Sequence, residues 1–272
     1  MSFLPRLPIT RFICYLLIGL AAVAVLAISA EEVSNRIYRR RAERLLQDVR
    51  QLQVGKSTFE DARALILRHH GGVSTYDHTP CSPAHCTLDV TLKHFPFFIE
   101  LWGRFLTPQM GDYLLRLLPA LGLQDGLGGA NVTVDRGIVT HLDYAVFVRG
   151  KGGEVLGRRA SEFKEVPKYL QDGMGQRSYH VGWFNITTPG GGEGIDSTLT
   201  AQANTEERKR AYDFDFGCLT KSGGCTSLCQ FAPTAFADLV KESGQMPWLD
   251  EHDPNCAKFR PPAANPDIAR HP

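Results

Sequence analysis

The longest apolar stretch of the chain is residues 12–30, which carry no charge from end to end. That is about the length a helix needs to cross a bilayer's hydrocarbon core. It is also longer than the apolar region of about 7–15 residues in a cleaved signal peptide. The pattern therefore predicts a transmembrane signal-anchor over 12–30, with residues 1–11 as a short cytoplasmic tail. Immediately after it, Tyr38, Ala42, Leu45, Val49 and Leu52 recur in alternating steps of four and three. Such a short stripe predicts a helix packed on its own domain rather than a coiled coil, which needs three or four heptads. Gly55 breaks this helix. Ser57 with Glu60 three residues on then predicts a capping box opening a second one. Phe59, Ala62, Leu65 and Ile66 form its expected buried face, and Gly71-Gly72 its end.

Downstream the period changes from that of a helix to that of a strand. Residues 87–92 alternate apolar and polar, as a half-buried strand does. Residues 131–134 and 138–148 flank the link Asp135-Arg136-Gly137, which predicts an antiparallel hairpin. Residues 179–187 and 212–216 read as two more strands. Residues 107–118, opened by Pro108, and 233–242 read as helices. Gly-rich stretches at 150–153 and 190–194 read as loops. The expected class is α+β: an N-terminal transmembrane helix, a two-helix opening, then an antiparallel sheet with inserted helices. The globular part is expected over 31–256, and a Pro-rich disordered tail over 257–272.

The opening carries a resemblance. Residues 52–62, Leu52-Gln53-Val54-Gly55-Lys56-Ser57-Thr58-Phe59-Glu60-Asp61-Ala62, within a helical pair spanning 37–72, resemble the small outer-membrane lipoprotein fold. That fold occurs in β-barrel assembly factors and β-lactamase inhibitor proteins. The resemblance implies two helices followed by an antiparallel sheet, and a role in binding other proteins. The chain lacks that family's lipobox cysteine at the end of the apolar run. Taken whole, it is similar to single-span bacterial envelope proteins with this opening and several cysteines. Neither resemblance implies a catalytic residue.

Charge and cysteine content settle what composition can. A formal net charge of +1 over 272 residues gives no basic stripe for nucleic acid. Arg36, Arg39, Arg40, Arg41 and Arg44 form the one basic block. Glu31, Glu32 and Glu43 interrupt it, which reads as a solvated helix face. By the positive-inside rule these arginines outnumber Arg6 and Arg11 and favour a cytoplasmic domain. The cysteines argue the reverse. Of seven, Cys14 lies in the apolar run, leaving Cys81, Cys86, Cys218, Cys225, Cys229 and Cys256 as an even set of disulfide candidates. The cysteines decide the expectation: a bacterial inner-membrane protein whose bulk faces the periplasm. Its partners are then the bilayer, through residues 12–30, and another envelope protein.

Candidate chemistry is sparse. Cys81 and Cys86 suit a short-loop disulfide. With His78 and His85 they also offer a set of zinc-type ligands, at a spacing that matches no zinc finger. His141 and Asp143 share a strand face, and His180 with Asp196 is the other place for an acid–base pair. Gly55-Lys56-Ser57 imitates a P-loop without its leading glycine or strand. Asp215-Phe216-Gly217 imitates a kinase triplet without a catalytic loop. Asn131 and Asn185 open glycosylation sequons within expected strands. Phe97, Phe98, Leu101 and Trp102 form an aromatic stretch, read as core or as an interaction patch. No cofactor motif is present. The expected function is a membrane-anchored envelope protein that binds another protein or supports envelope structure; the alternative is a membrane-bound hydrolase or metal-dependent enzyme.

Overall fold

A computed structural model describes residues 7–74, 80–94, 125–149, 154–187, 191–221, 224–244 and 253–259. One helix, α1 (Leu7–Val49), runs from the apolar stretch into the globular part. In its first half, Phe12, Tyr15, Leu17, Val23 and Leu26 are each more than half exposed. In its second half, Tyr38, Ala42, Leu45, Leu46 and Val49 are buried, and Leu52 follows them beyond the helix end. The stripe packs within the chain, as its brevity predicts. Among the described residues no helix is long and apolar enough to cross a membrane. Side chains at 7–11, 20, 24, 27, 28 and 31 lie outside that description.

The second helix, α2 (Phe59–Arg68), buries Ala62, Leu65 and Ile66. Its capping box is displaced by one residue from the expected pair. Thr58 is the N-cap, its hydroxyl accepting from the Asp61 N–H, while the Asp61 carboxylate accepts from the Thr58 N–H at 2.8 Å. Ser57 is used otherwise, its hydroxyl accepting from the Gln53 N–H at 3.0 Å.

Seven strands form one sheet: β1 (Gly72–Val73), β2 (His85–His94), β3 (Gly126–Asp135), β4 (Ile138–Arg149), β5 (Val155–Phe163), β6 (Tyr179–Asn185) and β7 (Gly192–Thr200). The order is β1-β2-β3-β4-β5-β7-β6. All pairs are antiparallel except β5 and β7, which run parallel, so the sheet is mixed rather than antiparallel throughout. The expected hairpin joins β3 to β4. Both central residues of its link have positive φ, Arg136 at 52° and Gly137 at 77°, as a type I′ turn requires.

Three elements depart from the sequence pattern. Residues 212–216 are not a strand; the chain there is irregular and enters a 3-10 turn, Phe216–Thr220. Asp215 accepts from the Gly217 N–H at 2.7 Å, and that local cap takes the place of ladder bonds. β5 falls in an unassigned stretch, and β7 begins inside the stretch read as a Gly-rich loop. Two short helices, α3 (Lys168–Met174) and α4 (Thr205–Ala211), are also new, the second capped by Asn204 and Glu207. The chain closes with α5 (Leu228–Phe231), α6 (Pro233–Ser243) and a 3-10 turn, Pro254–Phe259. Phe259 packs on Phe236 at 5.3 Å, so the packed chain extends past residue 257. The expected helix at 107–118, the loop at 150–153 and the tail from 260 lie outside the described residues.

One face of the sheet holds the core. Leu88, Val132 and Leu142 stand side by side on β2, β3 and β4. α1 packs closely on β3 because Gly126 and Gly128 leave room for the Tyr38 ring; a Cβ at 126 would lie 2.9 Å from it. Tyr144, on β4 between Ala130 and Ala160, donates its hydroxyl to the Ala42 carbonyl at 3.0 Å and ties the sheet to α1. Phe214, Phe216 and Phe231 continue this core beneath the C-terminal helices.

Candidate functional site

Where α1 and the end of α2 meet the end of β2, they enclose a groove of about 630 Å³. α1 contributes Ser34, Ile37, Tyr38, Arg41, Arg44 and Asp48. Since Tyr38, Leu45 and Val49 face the core, Arg41 and Arg44, three apart, fall on a row beside that stripe. β2 contributes Thr91, Leu92, Lys93 and His94 from the part that runs beyond β1, which pairs only with Leu88 and Asp89.

The end of α2 brings Arg68, His69 and His70. His70 has φ of 60°, a left-handed conformation that non-glycine residues adopt only at a cost. Gly71 follows because a side chain there would collide with the Asp89 carbonyl and with Ile66. The turn therefore seats the end of α2 on β2 and places His70 in the groove lining.

The electrostatics of this groove are one-sided. Among its lining residues Arg41, Arg44, Arg68 and Lys93 are cationic, and Asp48 is the single carboxylate. Asp48 is already engaged: one of its oxygens takes Arg68 at 3.0 Å and His69 Nε2 at 2.9 Å. Arg41, Arg44 and Lys93 have no ion-pair partner among the described residues. The floor is less polar. Tyr38 stacks on His94 with centroids 5.3 Å apart, and Ser34 Oγ lies 3.3 Å from His94 Nδ1. Burial pushes the Tyr38 hydroxyl well above its ordinary pKa, with Asp125 adding to the shift.

The six cysteines of the globular part form three disulfides: Cys81–Cys86, Cys218–Cys225 and Cys229–Cys256. Cys14 is free and exposed. With Cys81 bonded to Cys86, neither sulfur is available as a thiolate ligand, which removes half of the zinc-type set. His78 lies outside the described residues, and His85 stands 3.7 Å from Asp135. Among the described residues no group of three or more His, Cys, Asp or Glu could hold a metal ion. Phe97, Phe98, Leu101 and Trp102 also lie outside the description.

His141 and Asp143 do share the sheet face opposite the core. Asp143 accepts from Ser161 Oγ at 3.1 Å, across the β4–β5 ladder. Burial raises its carboxyl to about pKa 6, against the lowering effect of Arg159. His141 instead stacks flat on Phe163, at 4.3 Å and 7°, and its Nε2 has no hydrogen-bond partner among the described residues. Burial and then Arg159 push its pKa down to about 4. A Ser–His–Asp relay needs the imidazole between hydroxyl and carboxylate. Here the hydroxyl meets the carboxylate directly, and a histidine so depressed is a weak base. His180 and Asp196 are not paired: His180 Nδ1 lies 3.2 Å from Glu242, and Asp196 takes Arg159 at 2.9 Å.

The groove's convergence was missed in the sequence because its residues come from three separated segments. The available signal was the row Arg41, Arg44 and Asp48 beside the buried stripe, with the His69-His70 pair closing α2. No family model, no curated protein and no solved structure matches this chain.

Proposed function

We propose that this is a single-span protein of the bacterial envelope whose α+β domain faces the oxidising side and acts by binding, through the groove at the membrane-proximal end. The carrying observation is the state of the cysteines. All six beyond the apolar run are in disulfides, and the seventh, inside the run, is free. Such bridges persist in oxidising compartments and are rare in the cytosol. The exposed apolar side chains along the first half of α1 and the uncharged run of 12–30 support the anchor.

The arginines after the run count against this orientation by the positive-inside rule. Two of them are held within the helix, Arg36 by Glu32 and Arg39 by Glu43 at 2.7 Å. The disulfides weigh more, because a cytosolic domain would lose them. The likeness of residues 37–72 to the small lipoprotein fold, whose members bind other proteins, points to the same role.

The test is a thiol count in spheroplasts with a membrane-impermeant maleimide, read by intact mass with and without an impermeant reductant. Six labels that appear only after reduction are expected. Labelling of six cysteines without reduction in lysed cells, and none in intact spheroplasts, would place the domain in the cytoplasm and overturn the proposal.

A further inference from the structure

The groove has an excess of fixed cations, an aromatic and aliphatic floor and the size of a small-molecule site, so its contents can be narrowed by chemistry. We infer that it binds a phosphate-bearing anion from solution, held by Arg41, Arg44, Arg68, His70 and Lys93. This deepens the binding function proposed above and rests on it.

Three observations carry the assignment. The lining holds four permanent cations and one carboxylate, and that carboxylate is shared by Arg68 and His69. A guanidinium fork matches phosphate oxygens in pairs, which makes arginine the usual choice for this anion. The volume of about 630 Å³ lies within the range of about 300–1,000 Å³ typical of small-ligand pockets. Finally, the chain holds a histidine in left-handed conformation at the rim, where glycine or asparagine would sit without comparable cost.

Phosphate oxygens of this kind occur both in soluble molecules and in lipid headgroups. Position favours the soluble source. At about 1.5 Å rise per residue, Ser34 lies about 6 Å beyond residue 30 along α1, and Arg44 about 21 Å. The headgroup layer on one side of a bilayer is only about 5–8 Å deep. The lower lip of the groove therefore reaches headgroup level, while Arg44 stands well above it.

The experiment uses the full chain in lipid nanodiscs and inorganic pyrophosphate as the probe, titrated calorimetrically at fixed pH and ionic strength. In neutral-lipid discs saturable binding is expected. It should weaken about tenfold or more in Arg44→Gln combined with His70→Asn. Arg63→Gln, an exposed arginine of α2 outside the groove, should leave it unchanged. An unchanged thermal midpoint in each variant separates lost binding from lost fold. Discs rich in anionic phosphoglycerol lipid should leave the affinity within about twofold of the neutral value. Competition by those lipids, abolished in the double variant, would overturn the soluble source in favour of a headgroup. Absence of saturable binding, or equal weakening by Arg63→Gln, would overturn the site itself. None of these readouts depends on which side of the membrane the domain occupies, so failure here is separable from failure of the thiol count.

Discussion

Arg158 and Arg159 are neighbours on β5 and live in different solvents. Strand alternation turns Arg158 into the core and Arg159 onto the opposite face. Arg158 is fully buried and makes no ion pair among the described residues, with Asp196 and Asp213 acting on it only from further off. It donates to the carbonyls of Arg159, Ile195 and Ala211 and to Ser197 Oγ, and lies over the Phe214 ring at 5.0 Å. Burial pulls its pKa down to about 10, which still leaves it charged at neutral pH. Arg159 is partly exposed, pairs with Asp196 at 2.9 Å and lies over Phe184 at 5.4 Å. One cation holds the strands to α4 through backbone acceptors; the other sets the potential around His141, Asp143 and Asp196. The same residue type thus serves cohesion on one face and titration on the other.

The largest effect should come from the core side. Arg158→Ala strands several buried acceptors and empties the space over Phe214, so a loss of about 3–5 kcal/mol in urea unfolding is expected. A loss below about 1 kcal/mol would mean that water replaces the guanidinium at little cost.

The outer face should reveal itself in pH dependence, where two groups act in opposition. Asp143, raised to about 6 in the fold, binds a proton there that the unfolded chain releases near pH 4. Its contribution therefore falls as pH rises from about 4 to 6. His141, lowered to about 4, resists a proton that the unfolded chain takes up near 6.5. Its contribution is present above that value and is lost as pH falls from 6.5 towards 4. Between pH 4 and 6 the two slopes nearly cancel. Asp143→Asn should uncover the rising slope and His141→Phe, which keeps the stack on Phe163, the falling one. Each should change stability by about 2–3 kcal/mol across the window. Parallel curves for wild type and both variants would show that neither group is perturbed as described.

The smallest effect belongs to the partly exposed pair, Arg159 and Asp196. Arg159→Gln should cost only about 1 kcal/mol, since the pair is partly solvated. Because Arg159 lowers both neighbours, the same variant should shift the His141 and Asp143 titrations upward in NMR. Unmoved titrations would detach Arg159 from the cluster.

These two arginines also explain what the sequence could convey. The stripe from Tyr38 to Leu52 and the Arg136-Gly137 turn were legible because apolar spacing and turn chemistry agree there with the fold. β5 was not legible: Gly157, Arg158 and Arg159 interrupt the apolar alternation, and a buried arginine looks like a surface one until its acceptors are known. β7 was hidden by Gly192 and Gly194, the latter left without a Cβ where the Phe184 ring packs. Residues 212–216 misled in the other direction. Tyr212, Phe214 and Phe216 alternate as a strand would, yet all three are buried beside helices with no ladder partner among the described residues. The cap of α2 was read one residue early, as Ser57 with Glu60: Ser57 is taken up by the Gln53 N–H, and Thr58 with Asp61 forms the box. The groove needed three-dimensional convergence that no local pattern encodes.

The unbroken course of α1 has a mechanical consequence. From residue 20 to Val49 it contains neither glycine nor proline, and its end is clamped by Tyr144 and the core. The helix is thus a stiff lever arm, with the apolar run on one side of residue 30 and the groove on the other, the two arms being about equally long, at about 28 Å each. In a bilayer thinner than the run, a spanning helix leans to match thickness. A lean of about 10° would carry Val49, about 28 Å beyond residue 30, sideways by about 5 Å. Under the anchoring proposed above, bilayer thickness would then steer where the groove points, with no joint in between to absorb the motion.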